Sequence, residues 1–198
     1  MKRRLSIAGT AFGLLVAIAP ARAGDVAQII QTGIANIATI EQLATGGNNL
    51  AQVRQDQGLG RERGNEAHLA QHAVDNAVID VHQSGFGNTA SVIQHDGANL
   101  QATVTSSGNI MGGHWVTIDQ SGFGARALVQ QHGFTHSADI VQQGRGDVIV
   151  AEVRQDGDFH RATIFQAGSG LSATIAQGGN AFVPGPLPGN TATIRQSQ

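Results

Sequence analysis

Residues 79–94 read IDVHQSGFGNTASVIQ and contain two copies of one short pattern. Each copy ends in a glutamine, Gln83 and then Gln94, and the two lie 11 residues apart. An aliphatic residue stands two positions before each glutamine, and a polar residue immediately precedes that aliphatic residue. Because side chains of a strand point alternately to its two faces, this alternation predicts a strand with one buried face. Gly85 follows the first copy at the position where a turn is needed.

The pattern recurs through the chain in 14 units. The position two before the anchor is aliphatic in all 14 units, and the position four before it is Ala in 12 of them. The residue between these two columns is polar everywhere except at Leu128. An amphipathic helix would need apolar residues three and four positions apart, so the polar column excludes it. The anchors are Gln31, Gln42, Gln55, Gln71, Gln83, Gln94, Ser106, Gln120, Gln131, Gln142, Gln155, Gln166, Gln177 and Gln196.

Glycine follows most anchors at the second position, where it can take the positive φ of a tight turn. A strand of about six residues and a turn of about five make half of a flattened coil, in which neighbouring strands lie about 4.8 Å apart. The sequence therefore predicts an all-β fold, a β-solenoid of stacked strand-turn-strand units with about seven coils. The predicted turn glycines are Gly33, Gly85, Gly122, Gly133, Gly144, Gly157, Gly168 and Gly179.

Residues 1–23 have the features of a secretory signal peptide. A basic start is followed by an apolar stretch over residues 5–19 and by the small-residue site Ala21-Arg22-Ala23. Cleavage would leave residues 24–198 as one repeat domain with no further stretch long and apolar enough to span a membrane. We therefore expect a secreted protein.

The charge and composition of residues 24–198 exclude several classes of partner. The predicted signal peptide contains 4 of the 12 basic residues and none of the 14 acidic ones. Residues 24–198 therefore have a net charge of −6 and no Lys. Nucleic acids and anionic membranes require a basic surface. The chain has no Cys, so no disulfide can stabilise it after export.

The unit Gln31-x-Gly33-x-x-Asn36-x-Ala38-x-x-x-Gln42 resembles the repeat of curlin proteins, the subunits of bacterial curli fibres. The same spacing recurs at Gln83, Gly85, Asn88, Ala90 and Gln94. The resemblance implies a subunit, either the major one or the nucleator, of an extracellular amyloid fibre (fimbrium) that supports cell adhesion and biofilm. It further implies export through a curli-type outer-membrane machinery of a Gram-negative-type bacterium, with self-association and a second curlin-like subunit as partners.

Stacked coils would place each inward amide above another amide. Ladders of Asn and Gln side chains of this kind stabilise cross-β assemblies, so we expect polymerisation through the open strand edges of the end coils. The predicted ladder residues are Gln31, Asn36, Gln42, Asn49, Gln55, Asn65, Gln71, Gln83, Asn88, Gln94, Gln120, Gln131, Gln142, Gln155, Gln166, Gln177, Asn190 and Gln196.

Other functions remain as alternatives. Outward threonines such as Thr117 and Thr163 would suit a soluble, monomeric solenoid that binds ice, glycans or a surface. The pairs His68/His72 and His132/His136 have a spacing that suits a metal site on a helix rather than on a strand, and we expect all eight histidines to be surface polar groups. No G-x-S-x-G nucleophile motif is present. We therefore predict no enzyme activity, no cofactor and no metal site.

Overall fold

A computed structural model describes residues 24–43, 46–57, 64–108, 112–179 and 189–198, together with the backbone of three short strands within residues 5–18. Strand accounts for 76% of the described residues, and these residues contain no helix. None of them therefore forms a helix that could cross a membrane. The predicted all-β fold is confirmed.

Seventeen strands make up the described part of the chain. They are β1 Leu5–Ala8, β2 Ala11–Phe12, β3 Leu15–Ile18, β4 Val26–Ile34, β5 Ile37–Leu43, β6 Leu50–Asp56, β7 Glu66–Asp75, β8 Val78–Ser84, β9 Thr89–Ala98, β10 Gln101–Gly108, β11 Trp115–Phe123, β12 Ala125–Phe134, β13 Ser137–Gly144, β14 Ile149–Asp158, β15 Arg161–Gly168, β16 Ser172–Gly178 and β17 Thr191–Ser197.

From β4 onward the strands alternate between two parallel sheets. The first sheet has the order β1-β4-β6-β8-β10-β12-β14-β16, with β2 also beside β4, and the second has the order β3-β5-β7-β9-β11-β13-β15-β17. The chain returns to the first sheet six times after β4, which gives a β-solenoid of about 6 turns. The sequence predicted about seven coils, a number that counts each of the pairs from β4 and β5 to β16 and β17 as one coil.

The strands are stacked so that equivalent positions of the repeat face each other. Between β13 and β15, for example, Ile140 pairs with Ile164 and Gln142 pairs with Gln166. The Ala and aliphatic columns of both sheets meet between the sheets as a single apolar core, with Ile118, Ile140 and Ile164 fully buried. Burying one such side chain contributes about 1.5–3 kcal/mol. Register is thereby fixed, because a shift by one residue would turn this column outward.

The two edges of the flattened coil differ in chemistry. The edge before the first-sheet strands is mostly apolar and holds a second small core of Val74, Ala77, Leu100, Ala125, Ile149 and Leu171. The edge before the second-sheet strands holds polar side chains in every coil. The solenoid therefore has one apolar and one polar corner.

Six of the eight predicted turn glycines have positive φ, namely Gly33, Gly85, Gly122, Gly133, Gly157 and Gly168. Gly144 and Gly179 do not. Gly144 is required for a steric reason instead, because a Cβ at this position would collide with the carbonyl oxygen of Phe123. Close stacking of the coils thus demands glycine even where the backbone dihedral does not. At Gly179 a Cβ would meet only the ring of His160 at 3.4 Å, so neither reason applies there.

The backbone of the predicted signal peptide lies beside the first coil. Leu5–Ala8 pairs with β4 and Leu15–Ile18 pairs with β5, both in parallel. The strand edges of β4 and β5 are therefore occupied in the full chain. Removal of residues 1–23 remains a prediction.

We expect Gly122→Ala to lower the free energy of unfolding by about 2 kcal/mol or more. The residue has φ +85°, which costs a residue with a Cβ about 1–3 kcal/mol, and the Cβ would also meet the Gly144 carbonyl. Gly178→Ala is the matched control, since no atom lies within 4 Å of its added Cβ, and a change below about 1 kcal/mol is expected. Urea unfolding measures both. Equal losses in the two variants would contradict the proposed role of the tight turn.

Candidate assembly site

The second sheet contains an unbroken ladder of glutamines that are buried in every coil but the last. In each step the side-chain Nε2 of one glutamine donates to the Oε1 of the glutamine in the next coil, at 2.8–3.0 Å. The amide is buried, so its polar atoms need partners, and an unmade hydrogen bond there costs about 1–3 kcal/mol. The second-sheet ladder consists of Gln42, Gln71, Gln94, Gln120, Gln142, Gln166 and Gln196.

The first sheet contains the same ladder with one interruption. Gln31, Gln55 and Gln83 are joined by bonds of 2.7 and 2.9 Å, and Gln131, Gln155 and Gln177 by two bonds of 2.8 Å. Ser106 stands between the two halves, buried, with its Oγ 3.5 Å from Oε1 of Gln131. A serine is too short to reach both neighbours. The first-sheet ladder is therefore two ladders of three.

The second Nε2 hydrogen of these glutamines forms a hydrogen bond to the opposite sheet of the same coil. Gln94 donates to the backbone carbonyl of Val78 at 3.0 Å, and Gln120 donates to that of Gln101 at 3.0 Å. In each case the acceptor is the first residue of a strand in the opposite sheet. Each such glutamine thus joins its own sheet to the next coil and also joins the two sheets to each other.

The ladders have a direction. Within both ladders, each Nε2 donates to the glutamine of the next coil in the C-terminal direction. The C-terminal end of the solenoid therefore presents amide donors, and the N-terminal end presents amide acceptors. At the C-terminal end, Gln177 donates across the coil to Asn190 at 2.8 Å, and Gln196 donates across it to Ser172 at 3.1 Å. Among the described residues, no further coil lies above either of them.

The predicted asparagines divide between the two corners. Asn36, Asn65 and Asn88 are buried in the polar corner, whereas Asn49 lies in the opposite corner beside Asp25. Asn190 continues the polar corner but is exposed, in contrast to the inward position expected for it. Gln196 is only half-buried for the same reason, because both residues belong to the last coil, whose outer side no described strand covers.

Three histidines complete the polar corner, and the expectation that all eight histidines lie at the surface was wrong. His114, His136 and His160 are buried in the register of Asn88 and Asn65. The signal was present in the sequence, because each stands six residues before its anchor glutamine, the same position as Asn88. The polar corner consists of Asn36, Asn65, Asn88, His114, His136, His160 and Asn190.

The other histidines lie on the outer surfaces. His95 donates to the carboxylates of Asp96 and Asp119 at 3.0 and 3.1 Å, and the hydrogen bond to Asp96 is the main reason that its pKa is raised. The pair His132/His136 is divided between surface and core. Across the part of the chain that the structure describes, no group of three or more His, Asp or Glu is arranged to hold a metal ion.

The fold and its ladders define a class: a β-solenoid whose coils are held by stacked inward amides. The family model of the curlin associated repeat matches residues 75–108 and 151–179, which contain β8–β10 and most of β14–β16. The chain therefore carries curlin associated repeats, and the resemblance found in the sequence is confirmed. Searches of the curated proteins and of the solved structures found no match. Curlin proteins are structural subunits of extracellular amyloid fibres and not enzymes.

We expect Ser106→Gln to raise the free energy of unfolding by about 1 kcal/mol, since it would rejoin the first-sheet ladder between Gln83 and Gln131. The neighbouring strands β8 and β12 already hold a glutamine at the positions paired with Ser106, so the substitution repeats the residue used on both sides. Thr105→Gln, at the neighbouring exposed position, is the control and should have little effect. Thermal and urea unfolding measure the change. A destabilised Ser106→Gln variant would contradict the ladder as a continuous, repeatable element.

Proposed function

We propose that this chain is the secreted subunit of a curli-type amyloid fibre, which grows by stacking of one copy on the end of another. The observation that carries the proposal is the direction of the two glutamine ladders. Amide donors at one end and acceptors at the other are complementary, so a second copy in the same orientation continues both ladders.

The end coil supports this arrangement. In β17 the inward residues Ala192, Ile194 and Gln196 are half-buried, whereas their equivalents in the preceding coils are buried. Apolar surface and strand edges left open in this way favour addition of another strand. A second copy would place its β4 on β16 and its β5 on β17, which buries both sets of residues.

In this proposal, removal of the predicted signal peptide precedes fibre growth. In the full chain β1 and β3 lie beside β4 and β5, at the N-terminal edge. Removal of residues 1–23 during secretion would leave the N-terminal edges of β4 and β5 open, while their pairing with β6 and β7 remains. The mature subunit would then have complementary strand edges at both ends.

The biological setting follows from the curlin repeats. We propose that the fibre is displayed at the surface of a Gram-negative-type bacterium, where it supports adhesion and biofilm formation. Export would use a curli-type outer-membrane machinery, and a second curlin-like subunit would share the fibre. The role of this chain is that of the major subunit or the nucleator.

The test is the growth of thioflavin-T-positive fibres by residues 24–198, with and without preformed seeds. We expect a lag that seeds abolish. The double variant Gln177→Ala/Gln196→Ala removes the two amide donors at the C-terminal end, each worth about 1 kcal/mol, and should slow seeded elongation about tenfold or more.

The matched control is Thr174→Ala/Thr193→Ala, which changes exposed residues on the same two strands. It should elongate at close to the unmodified rate. Equal elongation rates for the two double variants would remove the ladder from the mechanism. A soluble, β-rich monomer that never seeds would reject the fibre itself and favour a monomeric binding solenoid.

A further inference from the structure

The polar corner changes its chemistry half-way along the solenoid. Asparagine occupies it in the first three coils, at Asn36, Asn65 and Asn88. Histidine occupies it in the next three, at His114, His136 and His160. All six side chains are at least 96% buried. Only one of the two residue types can be protonated near neutral pH.

Each asparagine accepts a hydrogen bond from the backbone of the next coil. Oδ1 of Asn36 accepts from the N–H of Asn65 at 2.9 Å, and Oδ1 of Asn65 accepts from the N–H of Asn88 at 3.1 Å. Oδ1 of Asn88 accepts in turn from the N–H of His114 at 3.1 Å. This half of the corner has no titratable group in the bonds that join its coils.

Each histidine fulfils the same role with its Nδ1 atom. Nδ1 of His114 accepts from the N–H of His136, and Nδ1 of His136 from the N–H of His160, at 3.1 and 3.2 Å. Nδ1 of His160 accepts from the N–H of Asn190 at 3.2 Å. Nδ1 must therefore be unprotonated.

The opposite ring nitrogen is also occupied. Nε2 lies 3.1 Å from the carbonyl of Ser107 in His114, and 3.0 Å from a backbone carbonyl in both His136 and His160. Since a carbonyl can only accept, each ring is the neutral tautomer with its proton on Nε2. Neither nitrogen has a lone pair left for a metal ion.

The three rings form a continuous stack. His114 and His136 have ring centroids 4.9 Å apart at an angle of 4°, and His136 and His160 are 5.2 Å apart at 3°. Protonation would direct a new Nδ1–H at a backbone N–H and would place positive charges in neighbouring stacked rings. Both effects oppose the charged form.

We propose that His114, His136 and His160 form an acid-sensitive joint, which loosens the C-terminal coils of the solenoid as the pH falls while the asparagine-lined coils keep their bonds. The joint belongs to the fold of a single chain and does not depend on fibre formation. It would set a lower pH limit for the folded subunit.

The charges around the stack do not cancel this effect. Burial lowers the pKa of His114 from 6.5 to about 4, and the neighbouring His136 and His132 act in the same direction. Burial also lowers the pKa of His136, with His160 adding to the effect and the carboxylates of Asp158 and Asp156 opposing it. At His114 and His136 the unfolded chain therefore binds more protons than the folded chain below about pH 6.5, so the stability that these two residues contribute is lost as the pH falls from there towards 4.

The test compares the full chain with the triple variant His114→Asn/His136→Asn/His160→Asn, measuring the unfolding equilibrium constant by urea from pH 7.5 to 4.5. Asparagine is the residue that the same corner uses at Asn65 and Asn88. Each histidine with a lowered pKa can change the constant by up to about tenfold per pH unit. We expect the ratio of the constants of the original chain and the variant to rise at least tenfold across this range.

The control variant His68→Asn/His82→Asn changes two exposed histidines outside the stack and should keep the pH dependence of the original chain. The same pH dependence in the original chain and the variant of the buried histidines would overturn the proposal. If the triple variant of the buried histidines does not fold, hydrogen exchange on the original chain tests the proposal instead.

Exchange distinguishes the two halves of the corner directly. The backbone N–H groups of His136, His160 and Asn190 donate to a histidine ring, and those of Asn88 and His114 donate to an asparagine oxygen. We expect the protection factors of the first group to fall at least tenfold between pH 7 and pH 5 relative to the second. A uniform change in both groups would contradict a local joint.

Discussion

The structure depends on the need of buried side-chain amides for hydrogen-bond partners. A glutamine directed into an apolar core is costly unless both its donor and its acceptor atoms are used. Here the amide of Gln94 accepts from the preceding coil and donates both to Gln120 and to the backbone of the opposite sheet. These requirements are met together only when the strands are parallel and in register.

The same requirement explains why the coils can differ in length while the stack stays regular. Anchor glutamines are 11 residues apart between Gln83 and Gln94 but 16 apart between Gln55 and Gln71. The additional residues lie in the connections between strands, which do not alter the pairing of Gln55 with Gln83 or of Gln71 with Gln94. The strands thus keep their register, and the corners take up the variation.

Most of the architecture could be predicted from the sequence, because it depends on a period of two and on one repeated anchor. The aliphatic column, the inward glutamines and the turns need only local alternation. The role of His136 was missed because histidine is usually exposed, and its register with Asn88 has meaning only once the coils are stacked. The exposure of Asn190 follows from its place in the last coil, which the repeat pattern itself cannot reveal. Gly144 shows a third limit, because its neighbour Phe123 becomes a steric constraint only in the stacked structure.

The repeated unit also explains how one chain can be both a folded solenoid and a subunit of a longer one. Each coil satisfies its amides through the next coil, and no further coil follows β16 and β17 among the described residues. The polar corner behaves in the same way, with Asn190 left exposed at the end. The interactions that hold one coil to another inside the chain are therefore those that a second copy would complete.

Hydrogen exchange of the glutamine side-chain amides, measured by NMR in the soluble chain and after quenching from the fibre, tests this account most directly. The Nε2 hydrogens of Gln94 and Gln120 should be protected in both states, while those of the exposed Gln130 should exchange freely in the soluble chain. Gln177 and Gln196, which each donate one hydrogen bond within the last coil, should gain further protection in the fibre. Exchange of Gln94 and Gln120 as fast as that of Gln130 in the folded chain would contradict the buried ladder on which the account rests.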